Sequence, residues 1–397
     1  MTGKLFGSII ITALTAVGGL FGWIMAAIFT GEAFYLWAAP VYVVLLWLTI
    51  ILKIWGIFAV KIRKILLISV LAAILLSIVG FEIIKAYGRS IELNDQGVDL
   101  RLYEPFKADT KAVSLSEPST LRLTDNLLKL DGATALYPVY AAFARAVYPE
   151  GTYPAYTYLY PSRDDAYVVS SNTAVAYNRL ISGEADMIFA AGPSADQLQI
   201  ARDRGVEMVF TPIGKEAFVF FVNSRNPVNN LTIADIQKIY SGEAVNWREF
   251  GGDNRAIRAF QRPENSGSQT ALTGLMGGIP LTPPPGRDVI DGMGGIISSV
   301  SAYRNHSNSI GYSFLFFATE MVNDNKIKLL SLEGVQPTRE NVANGTYPYA
   351  SNFYAVTAGT DNPNAGAFLD WILSEQGQYL ILRTGYTPLT ASFKGEG

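Results

Sequence analysis

Residues 1–88 are almost continuously apolar, and from residue 89 the chain turns to mixed apolar and polar positions rich in Tyr, Asn, Ser and Gly. Three apolar runs stand out: LFGSIIITALTAVGGLFGWIMAAIF (5–29), AFYLWAAPVYVVLLWLTIIL (33–52) and ILLISVLAAILLSIVGFEII (65–84). Each is close to the roughly 20 residues that cross a hydrocarbon core, so the pattern predicts three transmembrane helices forming a membrane anchor over 1–88. A cleaved signal peptide has a shorter apolar region and is not followed by two more spans. Lysine and arginine set the orientation. Lys4 precedes the first span, the first connection carries only Glu32, and the second holds Lys53, Lys61, Arg63 and Lys64. The N-terminus and second loop are therefore expected in the cytoplasm. After an odd number of spans, residue 89 onward is expected outside the cell membrane.

Residues 89–120 are polar with little periodicity and read as a linker. Beyond them, strand-like and helix-like segments alternate. LLKLDGATAL (127–136) reads as a strand entering a glycine turn, and YPVYAAFARAVYP (137–149) has helical spacing with Pro138 in its first turn. Helices are predicted over 173–183 and 195–205, each stopped by glycine, with an apolar strand between them. EAFVFFVN (216–223) is a strand-length apolar run, and LTIADIQKIYSG (231–242) is a helix that Thr232 can cap and Gly242 ends. RAIRAFQR (255–262) is strand-like, SQTALTGLMGG (268–278) helical, and GMGGIISSVSAYRN (292–305) a helix opened by glycines. SIGYSFLFFATEMV (309–322) is a strand then a helix, NFYAVTAG (352–359) a strand, and 365–386 one long amphipathic helix. This alternation predicts an α/β fold with mostly parallel sheets.

Composition narrows the chemistry. Lys and Arg number 31 against 34 Asp and Glu, a net charge of −3. There is no basic surplus for nucleic acid. With no cysteine, disulfides, thiolate metal sites, a cysteine nucleophile and a lipid-accepting cysteine are all excluded. The single histidine, His306 in YRNHSNS, sits in a polar stretch and is expected at the surface. No nucleophile–base pair and no metal-ligand spacing is evident, so neither enzymatic activity, a metal nor a cofactor is expected.

What remains is a set of strand-to-helix junctions with small or hydroxyl residues: DGATAL (131–136), SSNTA (170–174), NSGSQ (265–269) and GMGG (292–295). In open α/β sheets, ligands bind where strands end and helices begin. A helix start offers unpaired amides and the positive end of the dipole. Glycine admits a ligand to the backbone, Ser and Thr add hydroxyls, and an arginine such as Arg262 adds a planar cationic fork. Converging junctions of this kind would hold a tetrahedral oxyanion. Each alone is equally what a good N-cap or turn requires.

FQRPENSGSQT (260–270) resembles the Arg-x-Asp/Glu-x-Ser-Gly-Thr/Ser segment of the PstS-like phosphate-binding proteins, the substrate-binding components of phosphate ABC importers. LDGATALYPVY, NSIGYSFLFFA (308–318), GTYPYASNFYAV (345–356) and FLDWILSEQGQYLILRTGYTPL (368–389) resemble further motifs of that family in the same order, over roughly 121–390. The resemblance implies a two-lobed type II periplasmic-binding-protein fold after the three transmembrane helices. Lobe one would comprise 121–214 plus 347–390 and lobe two 215–346, with hinges near Pro212–Glu216 and Thr346–Asn352. It implies binding of inorganic phosphate or a related oxyanion for an ABC importer. The alternatives are a sensor or scaffold acting through a partner membrane protein, and a binding protein for another small anion. By motif position, Thr134, Ala135, Thr173, Arg262, Ser266, Gly267 and Ser268 would contact the ligand, and Glu264 would hold Arg262 by a salt bridge. One departure stands out: where the family often places an aspartate that accepts the ligand's proton, this chain has Ala191 in FAAGPSADQ (189–197).

Overall fold

A computed structural model of the chain describes residues 2–30, 33–91, 98–156, 166–284, 288–290, 296–297, 300, 308–322 and 325–389. It forms two compact units, Met1–Glu92 and Leu93–Gly397.

The first unit is three helices, α1 (Thr2–Thr30), α2 (Ala33–Trp55) and α3 (Val60–Ile91). Each is long and apolar enough to cross a membrane, over Thr2–Met25, Phe34–Trp55 and Val60–Ile83. The third begins earlier than the apolar run suggests, which places Lys61, Arg63 and Lys64 on its first turns. Arg63 Nη1 donates to the Lys53 carbonyl at 3.0 Å, satisfying an orphan acceptor near the end of α2. Pro40 lies inside α2 and has no N–H to offer the Leu36 carbonyl. Trp23 Nε1 of α1 donates to that carbonyl instead, at 2.8 Å, the kind of inter-helix repair that makes proline tolerable in an apolar helix. Trp47 and Trp55 donate to Thr12 and Ser8, each at 3.0 Å, and Tyr42 meets Ser77 at 2.6 Å. Polar contacts thus join both helix pairs where apolar area alone gives no preference.

The second unit carries ten strands among the described residues: β1 (Leu130–Gly132), β2 (Met187–Ala190), β3 (Val209–Asn223), β4 (Asn230–Leu231), β5 (Arg258–Ala259), β6 (Ser309–Phe314), β7 (Ile327–Leu329), β8 (Ser331–Leu332), β9 (Ala350–Thr357) and β10 (Thr387–Pro388). The main sheet runs β1-β2-β9-β3-β6-β5, with β10 and β7 also pairing along β3, while β4 and β8 form a separate pair. The helices are α4 (Tyr137–Val147), α5 (Thr173–Ile181), α6 (Ala195–Asp203), α7 (Ile233–Ser241), α8 (Gly267–Met276), α9 (Arg339–Ala343), α10 (Ala365–Leu373) and α11 (Glu375–Thr384).

Apolar side chains gather in two main cores. One is built on α4, β2, α10 and α11, around Phe143, Phe189, Phe368 and Ile381. The other is built on the C-terminal half of β3, β6, α7 and α8, around Phe220, Ile236, Leu272 and Tyr312. The chain contributes Ile213 to the first core and Ala217 to the second, then Tyr347 to the second and Phe353 to the first. Both crossings lie on β3 and the approach to β9. One leaves and the other returns, so the two strands must pair antiparallel, as they do from Val209↔Thr357 to Ala217↔Ala350 with a register shift between Pro212 and Gly214.

That geometry corrects the expectation of mostly parallel sheets. β1–β2 and β5–β6 are parallel, but β2–β9, β3–β9, β3–β6, β3–β7 and β3–β10 are antiparallel. The single helix expected over 365–386 is also two, α10 and α11, meeting at Ser374. At the break the chain folds so tightly that a Cβ on Gly377 would lie 2.2 Å from the Ile372 carbonyl oxygen. The glycine-opened segment 292–295 and His306 fall outside the described residues.

Candidate functional site

The first junction follows β1. Gly132 is required there, since a Cβ would meet the Phe189 carbonyl oxygen at 2.4 Å. Thr134–Leu136 then make a 3-10 turn leading into α4, with Pro138 in the first turn of that helix. Ala135 is buried and Thr134 half-buried. The Ala135 carbonyl is held by the Tyr386 hydroxyl, which donates to it.

The second junction is tied to the first by a buried carboxylate. Asp131 is fully buried; its Oδ1 accepts the Gly132 and Ser171 N–H groups at 2.7 and 2.8 Å, and its Oδ2 accepts the Ser171 hydroxyl at 2.6 Å and the Arg179 guanidinium. Burial pushes this carboxyl up, with Arg179 and Ser171 pulling the other way. Asn172, left-handed at φ 74, turns the chain into α5 and its side chain accepts the Val175 N–H at 3.1 Å. Thr173 is the first residue of α5 and is buried.

The third junction is FQRPENSGSQT. Asn265 sits at φ 65 and Ser266 caps α8, accepting the Gln269 N–H at 3.3 Å. Its own hydroxyl proton remains available to a ligand. Gly267 and Ser268 open the helix, where amides have no intrahelical partner. Ser268 is 1% exposed and its Oγ has no hydrogen-bond partner. The Arg262 N–H is fixed by two acceptors, Gln269 Oε1 and the Tyr312 hydroxyl, each at 2.9 Å, and Tyr312 in turn donates to Gln269. Arg262 is half-buried, and its Nε and Nη1 atoms are buried.

These junctions meet. One cavity is lined by Ala135, Thr173 and Gly267 together with Ala191 and Glu216. A Cβ on Gly267 would stand 3.1 Å from Thr173 Oγ1, so the start of α8 reaches the start of α5 directly. Of the expected ligand contacts, Ala135, Thr173 and Gly267 line this cavity; Thr134, Arg262, Ser266 and Ser268 do not line it, though all but Arg262 are next to a lining residue in sequence. Among the described residues, no salt bridge joins Arg262 to Glu264, contrary to expectation. Glu264 is exposed, because the turn through Asn265 directs the chain between Pro263 and Ser266 outward.

Sequence reasoning missed other lining residues of the cavity: Glu216 of β3, Ser351–Phe353 of β9, Phe314 and Tyr386. Burial pushes the Glu216 carboxyl up to about 8, against the pull of the Ala217 and Phe316 amides, the Arg339 guanidinium and the Leu315 amide. A signal was present: Glu216 is the one charged residue opening the otherwise apolar run EAFVFFV.

A family profile described as a PBP superfamily domain matches residues 112–376. The phosphate-binding protein PstS of Bacillus subtilis (strain 168) is 30% identical over 171 residues, covering 43% of this chain and 54% of that protein. The chain thus aligns with about half the length of that relative. Protein SphX of Synechococcus elongatus is 25% identical over 287 residues, covering 67% of this chain and 78% of that protein. Among solved structures, an ABC-type phosphate transport receptor from Vibrio cholerae has 20% identity and a TM-score of 0.48, covering 66% of this chain and 99% of that one.

Proposed function

We propose that this chain, which belongs to the PBP superfamily and resembles its PstS members, is a membrane-tethered extracytoplasmic binding protein. It captures inorganic phosphate or a related oxyanion and delivers it to an ABC importer. The observation that carries this reading is the meeting of three strand-to-helix junctions, through Ala135, Thr173 and Gly267, on one cavity. Helix starts supply amide donors and positive dipole ends, Thr173, Ser266 and Ser268 supply hydroxyls, and Arg262 supplies the countercharge. Charge-assisted hydrogen bonds in a cleft of low water content hold an oxyanion without metal.

The two main cores, joined by β3 and β9, act as lobes one and two that close on the ligand. The three apolar helices act as the anchor, and the cluster Lys53, Lys61, Arg63 and Lys64 favours a cytoplasmic loop between α2 and α3. Calorimetric titration of the full chain in detergent with phosphate tests the reading. Saturable binding is expected. A chain that is folded and binds neither phosphate nor sulfate would refute it.

A further inference from the structure

We infer that Gln269 is the positioning residue for Arg262: its side-chain amide holds the chain just after β5 against the start of α8. This rests on the oxyanion reading above, with Arg262 as a ligand contact. It adds to that site a residue with no place on the cavity wall.

The Phe260 N–H still bonds to the Ile310 carbonyl of β6, at 3.1 Å. Two residues on, the Arg262 N–H meets side chains instead, Gln269 Oε1 and the Tyr312 hydroxyl, each at 2.9 Å. Pro263 follows and has no N–H, so Arg262 carries the last backbone donor before the turn. The backbone N–H of Gln269 reaches the other end of that turn, donating to Ser266 Oγ at 3.3 Å. One residue therefore sets the distance between the arginine and the hydroxyl and amides that open α8.

The sense of the Gln269 amide is fixed by the two ends of a buried chain. Its Nε2 donates to Gln261 Oε1 at 3.3 Å, and Gln261 Nε2 donates to the Thr282 carbonyl at 2.8 Å. A carbonyl can only accept and a backbone N–H can only donate. Between the Arg262 N–H and the Thr282 carbonyl, the two amides can therefore point only one way. That leaves Gln269 Oε1 facing Arg262, where the Tyr312 hydroxyl also donates to it. Gln261 and Gln269 are each 6% exposed and Tyr312 is fully buried, so water does not compete for these bonds. Burial raises the Tyr312 phenol above its ordinary range, which keeps it a donor.

An ionised carboxylate could not replace this amide. It would accept from Arg262 and Tyr312 but has no proton for Gln261 Oε1, which leaves two acceptors in contact inside the fold. Protonated, it regains the donor and the shape of the amide. Gln269→Glu thus keeps the size of the native residue and makes the chain depend on pH. Arg262→Ala does the reverse: the backbone N–H that Gln269 holds stays, and the guanidinium goes. If Gln269 works by placing that guanidinium, changing Gln269 costs nothing further once the guanidinium is absent.

The experiment is titration of the full chain in detergent with phosphate, by calorimetry and, for the weakest variants, phosphorus NMR. The chains compared are native, Gln269→Glu, Arg262→Ala and the double variant. At about pH 9, Gln269→Glu binds phosphate about tenfold more weakly than the native chain, as expected for a buried bond broken. Relative to the native chain at each pH, the loss shrinks to less than about threefold by about pH 5.5, as the introduced carboxyl regains its proton. In the Arg262→Ala background the same change costs less than about twofold. A loss that is equal with and without the guanidinium overturns the positioning role and leaves Gln269 a part of the fold alone. Native affinity in Gln269→Glu at about pH 9 overturns it as well. Tyr312→Phe, which removes only a hydroxyl, keeps the test decisive if Gln269→Glu does not fold: a loss of about threefold is expected, absent again in the Arg262→Ala background. The same loss in both backgrounds overturns the proposal. Near-native affinity in Arg262→Ala removes the ligand contact and this proposal with it. A native chain that binds neither phosphate nor sulfate overturns the oxyanion reading instead.

Discussion

The Ser194 hydroxyl donates to Asn265 Oδ1 at 2.7 Å, joining the cap of α6 to the turn that leads into α8. Gln197, the third residue of α6, adds a second bond from its Nε2 to the Asn265 carbonyl at 3.3 Å. Both contacts bridge from the side of the cleft that carries β2 to the side that carries α8. In the proposed opening of the cleft they would be broken. Ser194→Ala removes one such bond and also weakens the α6 cap. A net bond of this kind contributes about 1 kcal/mol, so phosphate affinity should fall about fivefold, chiefly through faster release. Stopped-flow association and dissociation rates check this. An unchanged release rate would show that the contact does not hold the closed form.

Arg262→Ala should weaken phosphate binding by several kcal/mol, because a charge-assisted contact is lost where water cannot replace it. Arg262→Lys keeps the charge but loses the planar fork, and should recover only part of the loss. Calorimetry on both variants separates charge from geometry. Affinity near that of the native chain in Arg262→Ala would remove Arg262 from the site.

Gly267→Ala places a methyl 3.1 Å from Thr173 Oγ1. Overpacking of this size costs about 1–3 kcal/mol, and under the proposed closure it would fall on the closed arrangement. Ligand affinity should drop by roughly tenfold or more, while the thermal midpoint without ligand stays within a few degrees of the native value. A lowered midpoint with intact affinity would place the strain in the fold rather than in closure.

The Glu216 carboxyl also bears on stability, with a definite sign. Its folded value is raised from the ordinary 4.5 to about 8, so between those limits the folded chain holds a proton that the unfolded chain has lost. Stability from this group is complete below about pH 4.5 and declines by up to about 1.4 kcal/mol per pH unit toward pH 8, where it levels off. Thermal midpoints of the ligand-free native chain and of Glu216→Gln, compared across that range, should diverge with rising pH in favour of the variant. Parallel curves would show that the carboxyl titrates normally.

Much of the second unit was legible because its signals are local. Thr232 caps α7 through a capping box, and Gly242 ends it at φ 78. Gly183 and Gly205 take the left-handed conformations that stop the helices before them. The start of α8 was legible for the same reason, since its N-cap serine and the glycine after it are neighbours in sequence. What was not legible depends on distant partners. The antiparallel pairing of β3 with β9 links residues more than a hundred positions apart, and no run of side chains encodes it. The Ser194–Asn265 contact spans 71 positions. Glu264 illustrates the converse: two residues from Arg262, it was expected as its partner, yet it is exposed, beside the left-handed Asn265.

The chain passes between its two main cores as paired strands, not as loops. Under the proposed closure of the two cores on a ligand, this joint would act as a leaf spring. Bending it would change backbone torsions by small amounts at many residues and leave the ladder from Val209↔Thr357 to Ala217↔Ala350 intact. Such a bend would require no folding or unfolding of β3 or β9. The heat-capacity change on binding then reports only the apolar surface the two walls remove from water, and it stays far below that of a binding event coupled to folding.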